Sequence, residues 1–253
     1  MRIAVVQLAV KPEHRTETLQ NALGEIDAVC EADPAPDLVL LPAFVDTLTV
    51  ASKRAVVCER LHGQTASACG LRARNWGVFI ALGQAERSSN KPFVTSVLID
   101  RDGDIRLAQR QVSFETSGSD VFEAGERIAV TDVLLGRIAL LTGDDLLDPG
   151  AWDAVIRAHA QIVLGTACWS QRESDERQIQ QIRSRIAEQA KRCGRWCAVA
   201  DVTTSPDGEG PYCPGLSAVF DEKGEIMAAA ELGAATTFSV EVAIADPFVA
   251  DDA

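Results

Sequence analysis

Three features of the 253-residue sequence predict an α/β layered fold. Short apolar runs alternate with stretches of helical periodicity, the pattern of sheets whose faces are covered by helices. Two pairs of strands are joined by tight turns, RDGD over Arg101 to Asp104 and DEKG over Asp221 to Gly224, and read as hairpins. Strands, hairpin and helices also recur as two similar blocks with no linker dividing them, which predicts one domain over residues 1–253 with internal pseudo-two-fold symmetry. A chain of this length can bury a substantial core.

The elements follow in order. Ile3 to Leu8 is a compact, β-branched run and a central strand. Leu19, Leu23, Ile26 and Cys30 recur at helical spacing, so a helix runs from about Thr16 to the loop holding Asp33, Pro34 and Pro36. DLVLLP, Asp37 to Pro42, is a second buried strand. A more polar helix is expected around Ser52 to Arg60, a small-residue helix from about Thr65 to Asn75, and a strand over Gly77 to Gly83. The first hairpin occupies Phe93 to Gln111, and Ile128 to Val130 and Arg137 to Leu141 supply two more strands. Pro149, favoured at a first helical position, opens a helix with Trp152, Val155, Ile156 and His159 on one side. The short strand QIVLG leads to the loop TACW. The longest helix spans about Ser174 to Cys193, with Ile179, Ile182, Ile186 and Ala190 as its apolar stripe and Gly194 as its C-cap. After the strand WCAVADV come a Gly/Pro-rich loop from Thr203 to Gly215, the second hairpin, a last strand TFSVEVA and an acidic tail.

Hydrophobic residues make up 47% and charged residues 24%, an ordinary globular composition. Lys plus Arg number 24 against 37 Asp plus Glu, a net charge of −13 that repels phosphate backbones and anionic lipid. Nucleic acid and membrane are therefore not expected as partners. No apolar run approaches the roughly 18 residues of a membrane span, and the start lacks a small-residue cleavage site, so a cytoplasmic protein is expected. Seven scattered cysteines without CxxC spacing argue for reduced thiols. Cys193 and Cys197 gain no second pair or nearby His, so neither a metal nor another cofactor is expected.

The stretch that directs the functional reading is GRIALLTGDD, Gly136 to Asp145. It reads as a fully buried strand stopped by Gly143 and two carboxylates. A strand ending in a sharp turn presents its last residues at the sheet edge, where α/β enzymes commonly keep their chemistry. The residue at that turn is Gly143, which has no side chain to react.

Seven segments, taken in this order, carry a resemblance to the nitrilase superfamily of carbon–nitrogen hydrolases. They are IAVVQLAV, LVLLPA, VLIDRDGDIRLAQRQV, FEAGE, GRIALLTGDDLLDPGAW, IRSRIAEQ and GLSAVFDEKGEIMAAAEL. The resemblance implies a four-layer α-β-β-α sandwich, commonly doubled across a homodimer interface, and hydrolysis of amides or nitriles by a Glu, Lys and Cys triad. At the positions it assigns to that triad stand Ala43, after Leu41 and Pro42; Gln111, after Arg110; and Gly143, two residues before Asp145. Arg185 and Glu188 match the Arg and Glu of the family's RAxEN segment. Amide cleavage by a thiol needs a nucleophile, a carboxylate to move its proton and a donor for the oxyanion. Gly143 cannot attack, Ala43 cannot accept a proton, and Gln111 offers only a neutral donor. Gly143 also relaxes a turn that holds a nucleophile under strain, and with Ala43 it is expected to enlarge the pocket.

Other residues carry a plain and a functional reading. Asp144 and Asp145 could form a relocated acid/base or metal pair; the plain account has Asp145 tethering the turn or capping the Pro149 helix and Asp144 solvated. Glu115 lies where family members often keep an auxiliary Glu, or is a loop carboxylate. Cys168 could be a displaced nucleophile or a small buried hydrophobe. Thr142 faces away from the site by strand alternation. Trp169 and Tyr212 could line a ligand pocket or simply pack. His14, His62 and His159 form no motif. The leading expectation is a non-catalytic pseudoenzyme with a binding or regulatory role, assembled as a homodimer or higher homo-oligomer. The alternatives are an active amidase-like hydrolase using Cys168 with Glu115 or Asp145 as base, and a binding protein for a small carboxamide or acid.

Overall fold

The structure is a computed structural model describing residues 1–11, 14–45, 58–114, 120–170, 176–204 and 212–244. The first half supplies β1 (Arg2–Ala9), α1 (Arg15–Cys30), β2 (Leu38–Leu40), α2 (Gln64–Trp76), β3 (Phe79–Glu86), β4 (Phe93–Ile99) and β5 (Ile105–Arg110). The second supplies β6 (Val130–Val133), β7 (Gly136–Thr142), a 3-10 turn (Gly143–Leu147), α3 (Pro149–Arg157), β8 (Ile162–Thr166), α4 (Glu176–Cys193), β9 (Trp196–Ala200) and β10 (Val202–Thr203). The hairpin strands β11 (Ala218–Phe220) and β12 (Ile226–Ala229) and the last strand β13 (Thr236–Glu241) complete it.

Two sheets form, and both repeat one plan. In the first, β1, β2 and β3 are parallel, and β4 and β5 continue antiparallel. In the second, β7, β8 and β9 are parallel, and β11 and β12 continue antiparallel. An antiparallel strand closes the other side of each, β13 beside β1 and β6 beside β7. The short β10 pairs with the end of β1, at Leu8 and Ala9.

Strand alternation explains the layers. Ile3 and Val5 of β1, with Leu38, Leu40 and Phe79, face Ile138, Leu140, Ile162 and Leu164 across the space between the sheets. Their neighbours Ala4, Val6, Val39 and Ile80 point outward onto Ala22, Ile26 and Cys30 of α1 and Cys69 and Ala73 of α2. On the far side Ala139, Leu141 and Val163 meet Trp152 and Val155 of α3 and Ile179, Ile186 and Ala190 of α4. The result is the expected α-β-β-α sandwich. The two hairpins share a turn device as well: Asp100 Oδ1 accepts from the Asp102 and Asp104 amides, and Asp221 Oδ1 from Lys223 and Glu225.

Some boundaries differ from expectation. β3 runs on to Glu86, because its far end pairs residue for residue with β4. The strand expected at Ile128 begins at Val130, where pairing with Ala139 starts. His159 lies past the end of α3, exposed and with φ 54°, so it does not share the helix's apolar side. Most of the polar helix expected over Ser52 to Arg60 lies outside the described residues; its described end is not helical, Glu59 instead bridging Glu86.

Candidate functional site

The three positions assigned to the triad converge where the ends of both sheets meet. Ala43 follows β2, and its amide donates to the Ala167 carbonyl past β8 at 3.1 Å, tying one sheet to the other. Gly83 permits this approach: a Cβ there would lie 2.8 Å from the Ala43 Cα and 2.8 Å from Thr166 Oγ1. Gln111 follows β5, and its amide donates to the Val94 carbonyl at 2.8 Å. Val94 in turn packs with Ala43, Phe44, Cys58, Ala85 and Phe122 in one apolar cluster.

Gly143 opens the 3-10 turn with φ +55°, the left-handed region that favours glycine. Above it lies the Gln111 carboxamide. A Cβ on Gly143 would stand 2.6 Å from Gln111 Oε1 and 3.1 Å from its Cδ. Gln111 is itself buried, and its Nε2 donates to the Ser113 carbonyl at 2.7 Å. The expected enlargement of the pocket is therefore corrected. Gln111 fills the space over Gly143, and Ala43 packs in one apolar cluster with Phe44 and Phe122, whose ring centroids are 5.7 Å apart.

Asp145 is fully buried and holds the loop that carries Gln111. Its Oδ1 accepts from the Val112 amide at 2.9 Å and the Ser113 amide at 2.7 Å, while Oδ2 has no hydrogen-bond partner. Burial pushes its carboxyl up to about 7 against the pull of these amides, and nearby Asp148 adds to the rise. Tethering is thus its role, and capping is not: Asp148 caps α3, accepting from the Gly150 amide at 3.0 Å and from Ser113 Oγ at 2.6 Å. Asp144 is buried, not solvated, because the 3-10 turn packs it inward. Arg185 donates to the Leu147 carbonyl at 2.8 Å and so supports the end of the same turn, whereas Glu188 is exposed.

Cys168 is half-buried and packs against the cluster around Ala43. Trp169 points into the outer core with Ile179 and Leu216, which favours packing over pocket lining. Tyr212 is half-buried, and Glu115 lies outside the described residues. Thr142 faces the space between the sheets, where its hydroxyl and that of Thr166 each lie 2.6 Å from Ser96 Oγ. Among the described residues no group of three or more His, Cys, Asp or Glu side chains could hold a metal ion.

One residue escaped the sequence reading. Asp201, directly after β9, is fully buried and accepts from the Trp169 amide at 3.3 Å, Val202 at 2.9 Å and Leu216 at 3.0 Å. Burial lifts it to about 7, opposed by those amides and by Arg183. The available signal was a carboxylate at the end of an apolar run, which Asp145 shares beside Asp144.

The carbon-nitrogen hydrolase family profile matches residues 2–246, and the chain belongs to that family. An (R)-stereoselective amidase from Pseudomonas sp. is 29% identical over 167 residues, which are 66% of this chain and 60% of that protein. Among solved structures, an amidase from Nesterenkonia sp. AN1 with acrylamide added at its active site cysteine superposes with a TM-score of 0.83 at 19% identity. The match covers 96% of this chain and 93% of that one. Nit3 of Saccharomyces cerevisiae, a nitrilase-superfamily member, gives 0.83 at 17% identity over 95% and 89% of the two chains. At these identities the likeness establishes the fold, two sheets flanked by helices. No described helix is long and apolar enough to cross a membrane.

Proposed function

We propose that this chain is a non-catalytic member of the carbon-nitrogen hydrolase family, kept for binding or regulation. The observation that carries the reading is the Gln111 carboxamide seated over Gly143, 2.6 Å from where a side chain would begin. A thiol at that position is the centre of the family's chemistry, and acrylamide marks such a cysteine in the Nesterenkonia amidase. Here the position holds no nucleophile, and a neutral amide occupies the adjacent space. Removing one nucleophile from a comparable hydrolase costs roughly a million-fold in turnover. Losing the carboxylate and the cation with it leaves no route for covalent amide hydrolysis.

A small carboxamide or acid is the ligand class this reading assigns, and the apolar cluster of Ala43, Phe44 and Phe122, with Cys168 packed against it, is the surface beside Gly143 that such a ligand would have to open. Thermal melts of the natural protein against a panel of small amides and acids test this. A saturable rise in Tm supports a ligand-binding role, since a ligand that binds only the folded state stabilises it. No rise with any member of the panel counts against it and leaves partner binding as the remaining role. The proposed assembly is a homodimer or higher homo-oligomer, and light scattering that gives a monomer mass would refute that part.

A further inference from the structure

The atoms nearest to where a Gly143 side chain would begin are Oε1, Cδ and Nε2 of Gln111, at 2.6, 3.1 and 3.2 Å. A complete primary carboxamide therefore stands over Gly143, and the protein itself supplies it. We propose that the Gln111 side chain is a tethered occupant of the ligand position over Gly143: a free ligand enters only when this side chain swings away, and the vacated place selects a neutral primary amide over the acid of the same size. The inference rests on the binding role proposed above and names the residue that controls it.

The bonds around Gln111 leave its side chain as the part that can move. Its amide donates to the Val94 carbonyl at 2.8 Å, and its carbonyl accepts from the Gly125 amide at 2.7 Å. Val112 and Ser113, which complete the strap, give their amides to Asp145. The main chain is thus fixed along the whole strap. The carboxamide is held from within the strap, by the bond from Nε2 to the Ser113 carbonyl at 2.7 Å. A neutral bond of that kind favours the closed form by roughly two- to tenfold, and the apparent affinity for a ligand falls with the fraction of molecules that are open. The same bond sets the selectivity. When Gln111 leaves, the buried Ser113 carbonyl needs a new donor, which an amide N–H supplies and a carboxylate does not. A carboxylate would also bring its charge beside Asp148, which already takes the Ser113 hydroxyl.

Gln111→Ala removes Cγ, Cδ, Oε1 and Nε2, and acetamide is that same group of atoms as a free molecule. Acetate has the same shape without the donor. The test is thermal melting of the full chain, natural and Gln111→Ala, against each probe at neutral pH. The variant should bind acetamide on the order of tenfold more tightly than the natural protein does, and gain nothing with acetate. Equal affinity of the two proteins for acetamide, no binding by the variant, or the same gain with acetate would overturn the proposal. Should Gln111→Ala fail to fold, Gln111→Asn, which draws the carboxamide back by one methylene, takes its place with the same outcomes. Failure of both variants to fold would make Gln111 a packing residue and overturn the proposal as well. A natural protein silent to the whole panel, beside a variant that binds acetamide, would count against a ligand-binding role and leave the occupancy by Gln111 standing. Amide turnover by the natural protein, read from product release, would overturn the non-catalytic reading separately.

Discussion

Gly143 and Gln111 are fitted to each other, and that fit can be measured. Any side chain at 143 must adopt φ +55° and displace the Gln111 carboxamide. Gly143→Ala is expected to cost about 1–2 kcal/mol from the left-handed backbone alone, and about 1 kcal/mol more from crowding. In a double-mutant cycle with Gln111→Ala the crowding share should vanish and the backbone share remain, read from denaturant midpoints. The buried carboxylates give a second prediction. Asp145 and Asp201 are raised by burial to about 7 from 3.8, so between these values the folded state holds protons that the unfolded state has lost. Stability attributable to them is full below about pH 4, declines as pH rises, and is lost above about pH 7. Glu86 works in the opposite sense. Burial raises it, but its bonds to Arg110 and Thr95 win and leave it lowered, so its contribution is present above its unfolded value of 4.5 and lost on acidification below that. Tm against pH should fall from pH 5 to 7, and the decline should flatten in the double variant Asp145→Asn, Asp201→Asn; a Tm that rises over that range would contradict the assignment.

At the scale of elements, α3 and the edge strand β5 make the clearest cases. Asp148 caps α3 and also takes the Ser113 hydroxyl, so it joins that helix to the strap holding Gln111. Asp148→Ala should cost about 1–2 kcal/mol, a cap plus one side-chain bond, and Asp148→Asn much less. On β5, Arg110 grips Glu86 through two bonds of 2.9 and 2.7 Å and lies over the Phe93 ring at 4.0 Å. Arg110→Ala leaves the Glu86 carboxylate buried without its partner. The expected loss is about 2–3 kcal/mol, less than for a fully buried pair because the Arg110 side chain is half exposed. Chemical denaturation of each variant checks both figures. The hairpins, the parallel strands and the long helix were legible because their signals are local: turn residues, β-branched runs and helical spacing. The end of β3 and the start of β6 were not, because those boundaries are set by partner strands distant in sequence. The same limit applied to Asp201, which accepts from its neighbour Val202 but also from Trp169 and Leu216, two segments distant in sequence.

Across the whole molecule, the sandwich keeps the fold of its solved relatives, and the three positions assigned to the triad lie at one end of it. The apolar layers between and outside the sheets account for the fold, and strand alternation made them readable from the sequence. The three substituted positions were also readable, once the resemblance assigned them. The surroundings of those positions were not: Gln111 over Gly143, and Phe44 and Phe122 in one cluster with Ala43, are contacts between segments that no spacing rule connects. They place the Gln111 carboxamide over Gly143, the contact on which the proposed non-catalytic role rests. The most direct measurement is turnover of a broad panel of amides and nitriles by the natural protein, beside a variant carrying Ala43→Glu, Gln111→Lys and Gly143→Cys. The account predicts no turnover by the natural protein; any activity in the triple variant would show that the remaining pocket is intact. Turnover by the natural protein that disappears in Cys168→Ala would contradict it and place the nucleophile at Cys168.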